Sequence, residues 1–187
     1  MHPEPKEGTV VWDPLVRLFH WSLAIFFCLA YFLEGEWLSM HSHAGYTVFG
    51  LVGFRIVWGV IGPTHARFAD FVTPPGVAAS YLKQLINGTA RRHIGHNPAG
   101  SAMILALMIA LSITALSGMA LFAIQGSGPL AATFVASWPG DVVAEIHEFF
   151  TDATLVLVIV HLGGVLLTTV RYKENLTRAM ITGAKRP

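Results

Sequence analysis

Four apolar stretches, each close to twenty residues long, dominate the chain: about Leu15 to Leu33, His41 to Ile61, Ser101 to Ile124 and Ile146 to Val170. A helix rises ~1.5 Å per residue and the hydrocarbon of a bilayer is ~30 Å thick, so each stretch is long enough to cross it. Backbone polar groups in lipid must be paired within the segment, which makes the helix the expected form. The expectation is an all-α integral membrane four-helix up-and-down bundle, a single membrane domain over residues 1–187.

Charge agrees with that expectation. Only 12% of the 187 residues are Asp, Glu, Lys or Arg, about half the ~25% of ordinary soluble domains. Mean hydropathy is +0.57, and 53% of residues are apolar. These values exclude a disordered chain, and a net charge of +1 without a dense basic cluster excludes a nucleic-acid binder. The single cysteine, Cys28, rules out a disulfide scaffold and provides no Cys-x-x-Cys-His site for covalent haem. The first stretch reads as retained rather than as a cleaved signal. Its apolar run is too long, its leader mixes Glu4, Lys6, Glu7 and Asp13, and no small-x-small site follows.

Breakers mark the connections: Glu34-Gly-Glu36, Gly62-Pro63, Gln125 to Pro129 and Trp138-Pro-Gly-Asp141. A linker over 63–98 carries Pro74-Pro75-Gly76 and a partly apolar piece, about Val77 to Ile86, suited to the membrane interface. A tail covers 171–187. Of twelve Lys and Arg, ten fall before the first helix, in the 63–98 linker or in the tail, all on one side of an up-and-down topology. The opposite connections carry Glu34, Glu36, Asp141 and Glu145 and no cation. The positive-inside rule then places both termini, the linker and the tail in the cytoplasm of a multi-pass inner-membrane protein.

Nine histidines are many for such a chain, because ionisable side chains within a membrane are costly and functional by default. His20, His41, His147 and His161 lie in or at the mouths of the four stretches. His147 and His161, fourteen residues apart, share a helix face to within ~40° and stand ~21 Å apart. One small ion does not span that distance, whereas two haem-sized groups stacked across the membrane do. With alternating helix directions, His20 matches His161 in depth and His41 matches His147. Opposed imidazoles on separate helices make bis-histidine iron sites. A lone intramembrane histidine is often a packing residue, but four matched in depth argue against chance. The two separated pairs do not suit zinc, which gathers its ligands closely.

His41 and His43 point to roughly opposite sides of a helix, so only one of them serves the outer site. His41 shares a face with Arg55, fourteen residues on, which favours it; His43 remains the alternative, or a propionate partner, or an interfacial residue. Arg17, three before His20, and Arg55 suit haem propionates through their guanidinium forks, with snorkelling to headgroups as the plainer role. Gly45, Gly50, Gly53 and Gly59 admit a flat macrocycle or a neighbouring helix. The tryptophans mostly mark interfaces. The third helix has no histidine and is expected mainly to close the bundle, with Ser112, Thr114 and Ser117 bonding to backbone.

The chain resembles the bacterial cytochrome b561 family, which includes the b-type cytochrome subunits of nickel–iron hydrogenases. The resemblance covers about Val11 to Gly183. It rests on Trp12-Asp-Pro14 with Arg17-Leu-Phe-His20-Trp21, on His41 four before Gly45-Tyr46, and on Arg55-Ile-Val-Trp58-Gly59. His147-Glu148 fourteen before His161, and the tail Glu174-Asn-Leu176 to Ala179-Met-Ile-Thr-Gly183, complete it. The resemblance implies two b haems, ligated through His20 and His161 and through His41 and His147. It also implies electron transfer between quinone or quinol and a partner redox protein, either hydrogenase or a c-type cytochrome. Two other functions compete with this transmembrane conduit. One is a superoxide oxidase passing electrons to quinone, which the cation-free outer loops disfavour because they offer no funnel for an anion. The other is a haem-free membrane anchor or proton relay.

Overall fold

An Asp-Pro dipeptide starts the first long helix. In a computed structural model that describes residues 9–185, except for the side chain of Glu36, Asp13 Oδ1 accepts from the amides of Leu15 and Val16 at 3.0 and 3.1 Å. Pro14 has no amide to leave unpaired, so the two residues together cap α1 (Pro14–Phe32). The other aspartate oxygen meets Trp58 Nε1 at 3.5 Å. A short 3-10 turn, Gly35–Trp37, leads into α2 (Leu38–Ile61), which stops at Gly62-Pro63. After it come α3 (Phe68–Phe71) and α4 (Pro75–Ile86). Asn97 Oδ1 takes the Gly100 amide at 2.8 Å and so caps α5 (Pro98–Ile124). Gly126, at φ +78°, closes α5: the Ser127 amide reaches back to Phe122 O while the Gly126 amide takes Ala123 O.

Helix α6 (Gly140–Tyr172) runs for 33 residues, about 50 Å and well over the hydrocarbon thickness. Asp141 and Glu145 therefore belong to its first turns and not to the connection before it. α7 (Leu176–Thr182) is capped by Asn175 Oδ1 on the Arg178 amide at 2.7 Å and ends at Gly183. Only two short strands appear among the described residues, β1 (Thr9–Val10) and β2 (Ala184–Lys185), paired antiparallel. The protein is thus all-α, with four helices, α1, α2, α5 and α6, long and apolar enough to span a membrane. Much of their apolar surface faces outward, including Ile25 and Phe32 of α1 and Phe149, Ile159 and Leu166 of α6. A water-soluble fold would bury such residues, whereas lipid solvates them.

Contacts divide the described chain into two units, each taking part of every long helix. The first comprises residues 9–18, 57–105 and 159–185. Here the linker and tail are not plain loops but carry α3, α4, α7 and the strand pair. Val11, Trp12 and Ala179 form its core, with Met180 against them. Trp12 is buried there rather than marking an interface, with His96 at 4.5 Å between ring centres and Lys185 Nζ at 5.4 Å. Desolvation lowers the pKa of the buried Lys185, while the Glu174 carboxylate acts the other way. A lysine whose folded pKa is depressed opposes folding while it is charged. The β1–β2 clasp is therefore expected to gain stability as pH rises through the folded pKa toward the unfolded value. Protection of the Val11 and Trp12 amides, both of which donate to Gly183 O beside the strand pair, should increase over that range once corrected for intrinsic exchange and be pH-independent in Lys185→Met.

The same unit holds a two-point ion pair, Arg92 on Glu174 at 3.0 and 3.4 Å, with Glu174 buried. Gly59 is a close-approach glycine, since a Cβ there would collide with the Phe68 ring. The second unit comprises residues 19–56 and 106–158. It is a bundle of four helical stretches around Val48, Val52 and Leu111, with Leu23, Phe26, Phe27 and Met108 packed against them.

Candidate functional site

Within the second unit, α2 and α6 bring His41 and His147 together: their ring centres are 6.1 Å apart and the planes are nearly perpendicular, at 80° to one another. Metal–imidazole bonds are about 2 Å, and a ring centre lies about 1.1 Å behind its ligating nitrogen, so two trans imidazoles on one metal stand about 6 Å apart. The observed spacing fits a single iron between the rings.

The hydrogen bonds prepare both rings for that role. His41 Nδ1 lies 2.7 Å from Ala30 O on α1, and His147 Nδ1 lies 2.9 Å from Thr114 O on α5. A carbonyl oxygen only accepts, so each Nδ1 carries the proton and donates it, leaving Nε2 with a lone pair for a metal. Ser117 Oγ stands 3.2 Å from His147 Nδ1. Its own hydroxyl is 2.7 Å from Ile113 O and 3.0 Å from Thr114 O, so the serine oxygen is placed to accept a share of the histidine proton. Gly118 completes the arrangement: a Cβ there would sit 2.8 Å from His147 Cε1.

His43 takes no part in this pairing. It is exposed, and its Nδ1 bonds Ser39 O at 2.6 Å, four residues back on its own helix. The helix wheel favoured His41, and the structure adds the reason: only His41 reaches Ala30 and faces His147.

A cavity of about 430 Å³ surrounds the pair, within the range of cofactor sites. Phe27, Val48, Leu111, Met119 and Phe122 supply apolar walls, and Gly45 opens onto it where an added Cβ would meet nothing. Tyr46 Oη and Thr114 Oγ1, two of the polar lining atoms, are buried with no hydrogen-bond partner. Glu34, Glu148 and Asp152 also line it, and no Lys or Arg does. Apolar walls, an open glycine, orphaned hydroxyls and two neighbouring imidazoles whose Nδ1 atoms are both engaged together fit a flat macrocyclic iron group.

The remaining predicted residues lie elsewhere. His20, half-buried on α1 in the second unit, stands edge-on to Trp21 with ring centres 5.3 Å apart. His161 lies half-buried on α6 in the first unit. Arg55 is only 3% exposed on α2 in the second unit. Arg17 belongs to the first unit, where it donates to Ile181 O at the end of α7 and so ties down the tail. Ser112 and Ser117 of α5 bond to backbone as expected, at Met108 O and Ile113 O, but α5 does more than close the bundle, because Thr114 O, Ser117 Oγ and Gly118 also lie against His147. The sequence carried little signal for them, since α5 is rich in alanine and holds a second Gly-Ser neighbour pair at Gly100-Ser101.

Comparison with known proteins agrees with this chemistry. Residues 11–183 match the family described as prokaryotic cytochrome b561. The chain is 22% identical over 217 residues to a probable Ni/Fe-hydrogenase B-type cytochrome subunit of Rhizobium leguminosarum bv. viciae, covering 96% of this chain and 90% of the relative. No solved structure matches it. The chain therefore belongs to the prokaryotic cytochrome b561 family, as a multi-pass membrane b-type cytochrome that works in electron transfer.

Proposed function

We propose that the protein is a di-haem electron conduit of the bacterial inner membrane, with both termini cytoplasmic. It passes electrons between the quinone pool and a periplasmic redox protein, a hydrogenase or a c-type cytochrome. His41 and His147 hold one haem, and His20 and His161 the other. The observation that carries this reading is the His41–His147 pair, spaced for one metal and with both Nδ1 protons already committed. The depth match of His20 with His161 in the sequence supports the second site.

A haem held by two imidazoles supplies one-electron exchange at an iron with no coordination position open to oxygen. The chain does the rest. Ala30 O and Thr114 O fix the tautomer and rotation of the two ligands. The apolar walls surround the rings with hydrocarbon on part of the cavity, and Glu34, Glu148 and Asp152 line the rest of it. The buried Arg55 guanidinium suits a propionate, the anion this cofactor brings, and Arg17 is the corresponding candidate in the first unit. The hydrogenase cytochrome subunit among the relatives supports a hydrogenase partner. The carboxylates Glu34, Glu148 and Asp152 around the cavity favour a partner with a basic surface over a small anion such as superoxide.

The test uses purified, oxidised protein in detergent. A quinol should bring up a reduced b-type spectrum, and an oxidised basic c-type cytochrome should then reverse it. Superoxide should reduce the haems no faster than quinol alone. A protein with no visible spectrum, or haems that quinol leaves oxidised, contradicts the proposal.

Ser117 gives a finer check. A histidine ligand that shares its Nδ1 proton with two acceptors is the more basic one and favours ferric iron. Removing an acceptor that contributes about 1 kcal/mol to the ferric form raises the potential by about 40 mV, at 59 mV per tenfold. Ser117→Ala should produce that upward shift for one haem and leave the other unchanged in a redox titration.

A further inference from the structure

The surface of α4 is more apolar than its own protein contacts require. Ala78, Tyr81 and Leu85 are buried, and at about 100° per residue they occupy an arc of about 60°. The next arc of about 60° on the same side holds Leu82, Ala79 and Ile86, all exposed, with Leu82 at 47% and Ile86 at 70%. Exposed Lys83 follows directly, Ser80 and Gln84 take the far side, and exposed Val77 of the first turn lies on the other flank of the buried strip. The apolar face of the helix is thus about twice as wide as the strip that protein covers, and a lysine borders the uncovered half.

Two observations say what covers it. The first is tethering: α4 lies in the segment joining α2 to α5, two helices that span the membrane, and so stays close to the membrane surface. The second is charge. Among the described residues, the unit containing α4 carries nine Lys and Arg against Asp13, Asp70 and Glu174, and the last two are paired with Arg67 and Arg92. The other unit carries Arg55 against six carboxylates. Local structure gathers part of this positive charge beside α4. The chain reverses at Gly88, φ +76°, with the Thr89 amide on Gln84 O, and Tyr81 Oη donates to Arg91 O at 3.0 Å. Exposed Arg91 is thereby returned next to the helix that carries Lys83.

We propose that α4 is an in-plane helix seated in the interface of an anionic phospholipid bilayer, with Leu82 and Ile86 at the acyl boundary and Lys83 and Arg91 on headgroup phosphates. Amphipathic helices bind membranes through buried apolar area plus attraction to anionic lipid, with about 1 kcal/mol from each cation near a charged leaflet. Lysine at the edge of the apolar arc lays its stem over the acyl boundary and keeps its ammonium among the phosphates.

The test is spin-label accessibility on the full chain in lipid nanodiscs, with Cys28→Ser as background and Ser80→Cys, Leu82→Cys, Gln84→Cys and Ile86→Cys as label sites. All four positions are exposed, so labels do not disturb the core. The ratio of dioxygen to aqueous nickel accessibility should be several-fold higher at 82 and 86 than at 80 and 84. The contrast should be larger in discs containing phosphatidylglycerol than in pure phosphatidylcholine, and Lys83→Glu with Arg91→Glu should abolish that gain. Labels at 82 and 86 open to nickel would overturn the proposal. So would labels closed to both reagents, which would mean that a second copy or another protein covers the face. Equal behaviour in the two lipids would overturn its anionic part.

Discussion

Replacing His41 with alanine should remove one of two low-spin haems, or leave it high-spin with a single axial imidazole, while the other haem keeps its spectrum. His147→Ala should do the same to the same haem. The two rings share one 6.1 Å gap, and each has its Nδ1 proton held by a different neighbouring helix, so neither substitutes for the other. His43→Ala should leave both haems unchanged, because that ring is bonded to its own helix at Ser39. The retained haem makes the experiment interpretable: a variant that merely misfolds loses both. Two unaltered low-spin haems in His41→Ala would refute the assignment. Haem content and the oxidised electron paramagnetic resonance spectrum provide both readouts.

Gly118→Val should nearly empty the same site although residue 118 is no ligand. Its Cβ would lie 2.8 Å from His147 Cε1 and 3.3 Å from Nδ1. The ring cannot swing away without abandoning Thr114 O and Ser117 Oγ, and a buried donor left unpaired costs about 1–3 kcal/mol. Overpacking adds a similar amount. The expected result is haem content falling from two per chain toward one, with Gly118→Ala intermediate. Gly164→Ala on α6 is the control. A Cβ there meets nothing, and replacing a mid-helix glycine with alanine in open space gains up to about 1 kcal/mol. If Gly118→Val keeps both haems at full occupancy, the close approach of α5 to His147 is wrong.

Much of this was legible in the sequence because hydropathy and helical period are local. Four apolar stretches of adequate length gave four long helices, and matching depth along alternating helices put His41 opposite His147, the two rings that the structure brings together. The helix ends were less legible. α5 begins at Pro98 rather than near Ser101, and α6 at Gly140 rather than near Ile146, since caps such as Asn97 and polar first turns carry no hydropathy signal. The pairing of Thr9 with Lys185 was invisible: two-residue strands have no period, and their partners are 176 residues apart. What separates His41 from His43 in the structure is a carbonyl of another helix, Ala30 O. A wheel drawn for α2 alone ranks the two histidines but cannot see that contact. For the same reason α5 looked inert, because its part in the site is played by a backbone carbonyl, a serine and an absent side chain.

Haem quantification by pyridine haemochrome on the purified chain, set against protein concentration from amino-acid analysis, tests the central assignment most directly. Two irons, each between a pair of opposed imidazoles, predict two b haems per chain. A ratio of one or zero would contradict it.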